Sequence, residues 1–327
     1  MFDKITIQVQ CSDAECAHLA HIHALEAFTN SKGVVVEYKS GDFKNITGVN
    51  ISIRKNRVKL SVSLHKWFDW LTNGKHRNYL DFTISEAKSA FESLLFENGF
   101  VKERVRIKYF EIGLNFAVSD DPLEFIERCE RINGFKLMYI DANYRINRQK
   151  TTEKHDDIRR YFKIYDKGWE VNRKKRRAEK VEMLLSGERN KIDGQWILRI
   201  ETVYKRHNEN ATTFFTDENI QRLCQQFHLQ WRGLIFRREI RAEKGARKSE
   251  VERAREIFEA DNDTRTVIAR AKTELTAGRI TAKQYRTISE FCRDWQSKHS
   301  YNFRNIISMQ EREYRELFER QWKECRR

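Results

Sequence analysis

Four stretches of this chain alternate polar and apolar side chains residue by residue. In 57–67, Lys59, Ser61, Ser63 and His65 alternate with Leu60, Val62 and Leu64. In 104–117, Glu111 and Asn115 alternate with Phe110, Ile112, Leu114 and Phe116. In 160–167, Tyr161, Lys163, Tyr165 and Lys167 alternate with Phe162 and Ile164, and Asp166 closes the strand. In 195–205, Arg199 and Glu201 alternate with Leu198, Ile200 and Thr202. Successive side chains of a strand point to opposite faces, so this period of two predicts strands that bury one face and show a polar one. A chain with four such stretches must build a sheet.

Further strands are predicted at 3–10, 34–39, 47–54 and 135–140. Helices are predicted at 13–28, 84–98 and 122–133. Ser12 with Glu15 and Thr83 with Glu86 spell capping boxes for the first two, and Asp121 before Pro122 caps the third. A helix over 217–228 follows Thr216. Beyond 246 the period changes, and 248–261, 264–277, 281–297 and 308–325 read as helices rich in charge. The expected fold is therefore α+β: an antiparallel-rich sheet core over 1–245 and a mainly α-helical C-terminal region over 246–327, used for DNA binding or self-association. The boundary is placed in the polar stretch 241–249.

The 327 residues carry 63 Lys and Arg against 48 Asp and Glu, a formal net charge of +15. Such an excess favours a polyanionic partner, nucleic acid first and an anionic membrane surface second. The excess is concentrated: residues 141–210 hold 19 basic against 12 acidic side chains, including the unbroken run Arg173, Lys174, Lys175, Arg176 and Arg177. That run reads as a solvated helix face or as a set of phosphate contacts. No apolar stretch is long enough to span a membrane, and the N-terminus reads as a first strand without a signal peptide. The six cysteines form no C-x-x-C pair and read as reduced thiols of a cytoplasmic protein.

The row Tyr161, Lys163, Tyr165 and Lys167 suits a phosphodiester. A tyrosine oxygen can attack phosphorus, and a nearby lysine favours the ionised phenol and offsets phosphate charge. If the four polar faces are neighbours, they collect His65, Glu111 and Glu201 beside Tyr165. Two carboxylates and an imidazole can hold a hard divalent ion, Mg²⁺ or Mn²⁺. The competing reading is a set of decorated solvent faces with Arg199 salt-bridged to a carboxylate. His21-Ile22-His23 does not read as a ligand pair, because on a helix i and i+2 point about 200° apart. Trp67 and Trp70, followed by Lys75, His76 and Arg77, either stack bases or close a core edge.

With these residues in hand, the chain resembles the phage/plasmid replication initiator family typified by the filamentous-phage gene II replication protein. The matching pieces occur in order over residues 1–245. They are Met1-Phe2-Asp3, Leu60-Ser61-Val62-Ser63-Leu64-His65-Lys66-Trp67-Phe68 and Asn78-Tyr79-Leu80-Asp81-Phe82-Thr83. Phe110-Glu111-Ile112-Gly113-Leu114-Asn115, Lys163-Ile164-Tyr165-Asp166-Lys167-Gly168, Leu198-Arg199-Ile200-Glu201 and the helix from about Thr216, followed by Trp231, come next. The resemblance implies a rolling-circle initiator that nicks one strand at a double-stranded origin, forms a 5′-phosphotyrosine, leaves a 3′-OH as primer and later rejoins the displaced strand. It implies Tyr165 as nucleophile with Tyr161 in reserve, and Lys167 as the assisting cation. It also implies Glu111, Glu201 and His65 around Mg²⁺ or Mn²⁺, and Lys163 with Arg173 to Arg177 against DNA. Its partners would be double- and single-stranded origin DNA and a host helicase or polymerase, in the cytoplasm of a bacterial host, with self-association open. The alternative class is a non-catalytic DNA-binding repressor or copy-number regulator. An RNA-processing role lacks its aromatic strand motif.

Overall fold

A computed structural model describes residues 1–41, 47–132, 135–148, 159–173 and 190–325. The chain divides into two compact units. The first comprises Met1–Glu127, Ile132–Gly233 and Leu317–Arg327; the second comprises Arg128–Arg131 and Leu234–Glu316.

The first unit is built on a sheet of ten strands. In chain order its strands are β1 (Phe2–Gln10), β2 (Glu26–Thr29), β3 (Val35–Lys39), β4 (Asn50–Arg54), β5 (Arg57–Ser63) and β6 (Val105–Val118). The short β7 (Cys129–Ile132) and β8 (Phe135–Lys136) lie outside it. Then come β9 (Met138–Asp141), β10 (Tyr144–Arg148), β11 (Arg159–Asp166) and β12 (Trp196–Asn210). The spatial order is β2-β3-β4-β5-β1-β6-β12-β11-β10-β9, and every pairing in it is antiparallel. The fold is thus α+β with a large antiparallel sheet.

Helices of this unit are α1 (Asp13–Ile22), α2 (Leu64–Asn73), α3 (Ile84–Glu97), α4 (Pro122–Arg128), α5 (Lys167–Asn172), α6 (Ala211–Phe214) and α7 (Asp217–Arg232). The Ser12–Glu15 and Thr83–Glu86 boxes both form, each hydroxyl accepting the N3 amide while the Glu carboxylate accepts the N-cap amide. One sheet face is apolar. Ile5, Ile7 and Val9 of β1, Phe110, Ile112 and Leu114 of β6, Phe162 and Ile164 of β11, and Leu198 and Ile200 of β12 are all buried. At roughly 1.5–3 kcal/mol for each large aliphatic or aromatic side chain, this face supplies most of the drive for the unit to fold. Trp231 of α7 lies 6.0 Å from the Phe162 ring and donates its indole N–H to Thr202 Oγ1 at 2.9 Å. Phe91 of α3 stacks on Phe215 at 4.3 Å.

The structure redraws several predicted elements. The strand expected over 57–67 stops at Ser63, whose hydroxyl accepts the Lys66 amide and caps α2. His65 therefore sits in the first turn of a helix and does not share a strand face with Lys59. The helix expected over 13–28 ends at Ile22. Ala24 turns the chain with φ 45°, and 26–29 leaves to pair with β3, where a partner strand overrides local helical propensity. The helix from Pro122 ends at Arg128, and the expected strand over 135–140 is split into β8 and β9 around buried Leu137.

The second unit holds β13 (Ile235–Phe236), β14 (Glu239–Ala242), α8 (Lys248–Glu259), α9 (Thr264–Thr276), α10 (Ala282–Arg293) and β15 (Phe303–Ile306). The first part of α11 (Met309–Cys325) belongs to it, and residues from Leu317 belong to the first unit. Its core joins Ala254, Ile257, Val267, Phe291, Cys292, Trp295 and Phe303. β14 pairs antiparallel with β15, and Arg238 bridges Glu311 at 2.8 Å.

Candidate active site

Three central strands of the ten-stranded sheet each bring one carboxylate to its polar face. Asp3 comes from β1, Glu111 from β6 and Glu201 from β12, and these strands are adjacent. All three side chains are buried, and each offers an oxygen within 4.8 Å of the others. Close approach is possible because β6 carries Gly113 opposite Glu201. A Cβ at Gly113 would come to 2.9 Å of the Ile200 carbonyl oxygen and 3.0 Å of Glu201 Cγ.

Cations hold the acids in place. Arg199 is 2% exposed, a large cost for a charge unless every donor is used. Its Nε donates to Glu201 Oε1 at 2.6 Å and its Nη2 to Asp3 Oδ2. Nη1 donates to the Asn78 carbonyl at 3.0 Å and to Asn115 Oδ1 at 2.8 Å. Ser63 Oγ donates to the other Asp3 oxygen. Lys163 of β11 bridges the remaining pair, 3.1 Å from Glu111 Oε1 and 2.7 Å from Glu201 Oε2.

Two phenols complete the cluster. Tyr165 donates to Glu201 Oε1 at 2.7 Å, and Tyr109 donates to Glu111 Oε1. Tyr144 of β10 packs its ring 5.6 Å from that of Tyr165. A cavity of about 700 Å³ opens above the cluster, with Asp3, Glu111, Glu201, Lys163 and Tyr165 in its walls beside Lys66, Lys167 and Arg173.

Electrostatics divides the acids. Burial works against ionisation of Asp3, but Arg199 with Lys167 behind it holds this carboxyl below its ordinary value. Burial likewise opposes ionisation of Glu201, and Lys163 and Arg199 together hold it well below. Glu111 moves upward, because burial and the Glu201 charge outweigh Lys163. Three carboxylates thus face two contacting cations, and the surplus falls on Glu111. The Tyr165 phenol is pushed well up by burial and then by the Glu201 charge. Lys163 stays firmly protonated in spite of burial, because Glu201 and Glu111 face it.

The sequence-nominated residues meet in part. Tyr165, Lys163, Glu111 and Glu201 converge. Lys163 spends its ammonium on two carboxylates rather than facing solvent. Lys167 is buried in the first turn of α5, its Nζ 2.7 Å from Glu170 and 6.0 Å from the Tyr165 ring centroid. Tyr161 lies two residues from Lys163 on β11 under the ammonium of Lys205, 4.6 Å from the ring centroid, and outside the cavity walls. His65 is not one of the converging ligands. It stacks on Phe82 at 4.4 Å, and burial pushes its imidazole pKa down to about 3, so it is neutral. Arg173 is exposed at the cavity wall, its guanidinium 5.6 Å from the Trp169 ring. Lys174, Lys175, Arg176 and Arg177 lie outside the described residues. Trp67 is a buried core residue 5.1 Å from Trp70, and Arg77 grips Asp69 through two hydrogen bonds of 2.7 and 3.1 Å.

Asp3, Tyr109 and Tyr144 were not nominated as site residues. The signal for Asp3 was the lone acid near the start of the first strand. For Tyr109 it was the i−2 position to Glu111, which places both on one face.

No family model, curated protein or solved structure matches this chain. The three carboxylates form a group that could hold a metal ion. An all-oxygen donor set with a surplus negative charge fits a hard divalent cation. No helix among the described residues is long and apolar enough to cross a membrane.

Proposed function

We propose that this chain is a rolling-circle replication initiator, a DNA nicking-joining enzyme that works through a 5′-phosphotyrosine on Tyr165. One observation carries the reading: a cavity-lining phenol donates to Glu201 within a buried three-carboxylate cluster flanked by lysines. Asp3, Glu111 and Glu201 would hold Mg²⁺ or Mn²⁺. Such an ion supplies the positive charge the cluster lacks, lowering the phenol pKa and offsetting charge on the phosphate.

The chain's own residues do the rest. Glu201 Oε1 accepts the Tyr165 hydrogen bond and aims the phenol oxygen at phosphorus. Lys163 and Arg199 hold Glu201 ionised, so the phenol proton passes to water as the phenol oxygen bonds to phosphorus; the P–O3′ bond breaks, the 3′ oxygen takes up a proton from water, and reversing these steps rejoins the strand. Arg199 fixes Asp3 and Glu201, so Glu201 does not swing away from the phenol. Lys66 and Arg173 in the cavity walls suit the phosphates flanking the scissile one. The proposed partners are single- and double-stranded DNA at an origin, with a host helicase or polymerase, in a bacterial cytoplasm.

The second reading is a non-catalytic DNA-binding repressor or copy-number regulator. Its support is that Lys163 and Arg199 already satisfy much of the cluster without a metal. Incubating the protein with supercoiled DNA of its own replicon and Mg²⁺ separates the two. Open circles carrying covalently attached protein support the nickase, and Tyr165→Phe removes the attachment. Attachment that survives in Tyr165→Phe but is lost in Tyr161→Phe or Tyr144→Phe moves the nucleophile. No nicking by the wild-type chain leaves the regulator.

A further inference from the structure

Among the described residues of the first unit, a group of basic side chains without ion pairs lies on the same sheet face as the cavity, two to four residues further along the strands. The β4–β5 hairpin reads Arg54-Lys55-Asn56-Arg57-Val58-Lys59. Its two-residue turn takes Lys55 and Asn56 to φ 48° and 60°, as a tight primed turn requires. Arg54 pairs directly with Arg57, and Ser52 with Lys59. Period two puts Arg57 and Lys59 on the face of Ser61 and Ser63, which line the cavity, and Arg54 on the face of Asn50, which also lines it.

The sheet extends this group across two more strands. Lys59 pairs with Gln8 of β1, and Gln8 pairs with Arg106 of β6. At Lys108 the β1–β6 register slips, since Thr6 faces Tyr109 but Ile7 faces Ile107. That bulge lets Arg106, Tyr109 and Glu111 keep one face while Ile107 stays in the core. Arg54, Lys55, Arg57, Lys59 and Arg106 are exposed. None of them, and not Lys108, forms an ion pair with a described carboxylate, whereas Lys163, Lys167 and Arg199 do. Lys108 donates to Asn208 Oδ1 at 2.6 Å, and burial, then Arg106 and Arg57, lowers its pKa. None of residues 54–59 of the hairpin is aromatic, and the ring beside Lys108, Tyr109, commits its hydroxyl to Glu111, so the hairpin has charge to offer phosphates and no platform for stacked bases.

We infer that Arg54, Lys55, Arg57, Lys59, Arg106 and Lys108 form a docking surface for the phosphate backbone of duplex DNA that begins about 7 Å along the strands from the cavity wall. Duplex is the partner because its bases are already stacked and only backbone is presented to such a surface. The placement beside the cavity rests on the nicking reading, but the binding itself does not.

The test is equilibrium binding of a short labelled duplex in EDTA, where no metal-dependent cleavage occurs, over a salt series. The variant is Arg57→Gln/Lys59→Gln/Arg106→Gln, with each single change as a check on folding by its melting curve. Loss of three phosphate contacts predicts affinity lower by on the order of a hundredfold at 0.1 M salt, and a salt slope shallower by about three. A Lys298→Gln control in the second unit leaves both unchanged. Affinity and slope that do not move overturn the inference. So does a loss seen with single-stranded oligonucleotides or an RNA hairpin but not with duplex DNA. A chain that binds duplex through this patch yet never nicks keeps the inference and discards only the nicking reading.

Discussion

The carboxylate cluster and the β4–β5 hairpin lie on one sheet face and treat charge in opposite ways. In the cluster Asp3, Glu201 and Arg199 are all buried, and each has a charged partner at hydrogen-bonding distance. At the hairpin Arg54 and Arg57 face each other as like charges, exposed and with no acid between them. Burial makes an unpaired charge cost several kcal/mol, so the cluster is interlocked. Water and salt screen the hairpin, so repulsion there costs little and leaves the cations available to a ligand.

The sharpest break of that contrast is Arg199→Met. It strands Asp3 and Glu201 in the interior and should destabilise the first unit by about 3–5 kcal/mol, seen as an early melting transition. A stability unchanged by this substitution would mean that the cluster is not interlocked. Next is Gly113→Val, which places a branched side chain where a single Cβ already meets Ile200 and Glu201. About 1–3 kcal/mol of overpacking and loss of any metal affinity should follow, read by denaturant unfolding and metal titration.

The pH response should also differ by region. Asp3 and Glu201 have folded pKa values below their unfolded ones. Their stabilisation is present above the unfolded carboxylate value of about 4 and is lost as pH falls through the folded values. Glu111, shifted up, opposes this and blunts it. In the second unit Glu259 goes the other way: burial, then Glu130, raises its pKa to about 8. Its stabilisation is full below the unfolded value and is lost as pH rises through about 8. Glu259→Gln should flatten that alkaline loss in a melting series while leaving the acid limb of the first unit intact.

Two smaller effects sharpen the comparison. Lys163→Gln removes the tethered ammonium from Glu111 and Glu201, so divalent ions should bind more tightly. A relief of 1.4 kcal/mol is a factor of about ten by calorimetry. Weaker binding would show that Lys163 organises the ligands instead of competing with the ion. At the hairpin, Arg57→Gln alone should change stability by no more than about 0.5 kcal/mol, or raise it slightly, since it relieves repulsion from Arg54.

Period-two alternation was legible wherever one face of a strand is core. Phe162 and Ile164 are buried, and Lys163 and Tyr165 stand together on the other face as their spacing requires. Ser12–Glu15 and Thr83–Glu86 were legible for the same kind of reason: a cap is a contact between neighbours in sequence. His65 misled because Ser63 can either continue a strand or cap a helix. The choice fell to α2, whose Leu64 and Trp67 find a buried face.

Sequence by itself determined the one-sided strands, the starts of the side-chain-capped helices at Ser12, Thr83 and Thr216, the basic excess and the pairing of phenol with lysine on β11. Only the tertiary structure decided that β1 lies between β5 and β6, and β12 between β6 and β11. That order places Asp3 with Glu111 and Glu201, puts Lys163 between two acids, and separates the buried cluster from the exposed hairpin. The physical reason is that local spacing sets which face a side chain takes, whereas strand order and register, chosen by burying the whole apolar face, set which side chains meet on it.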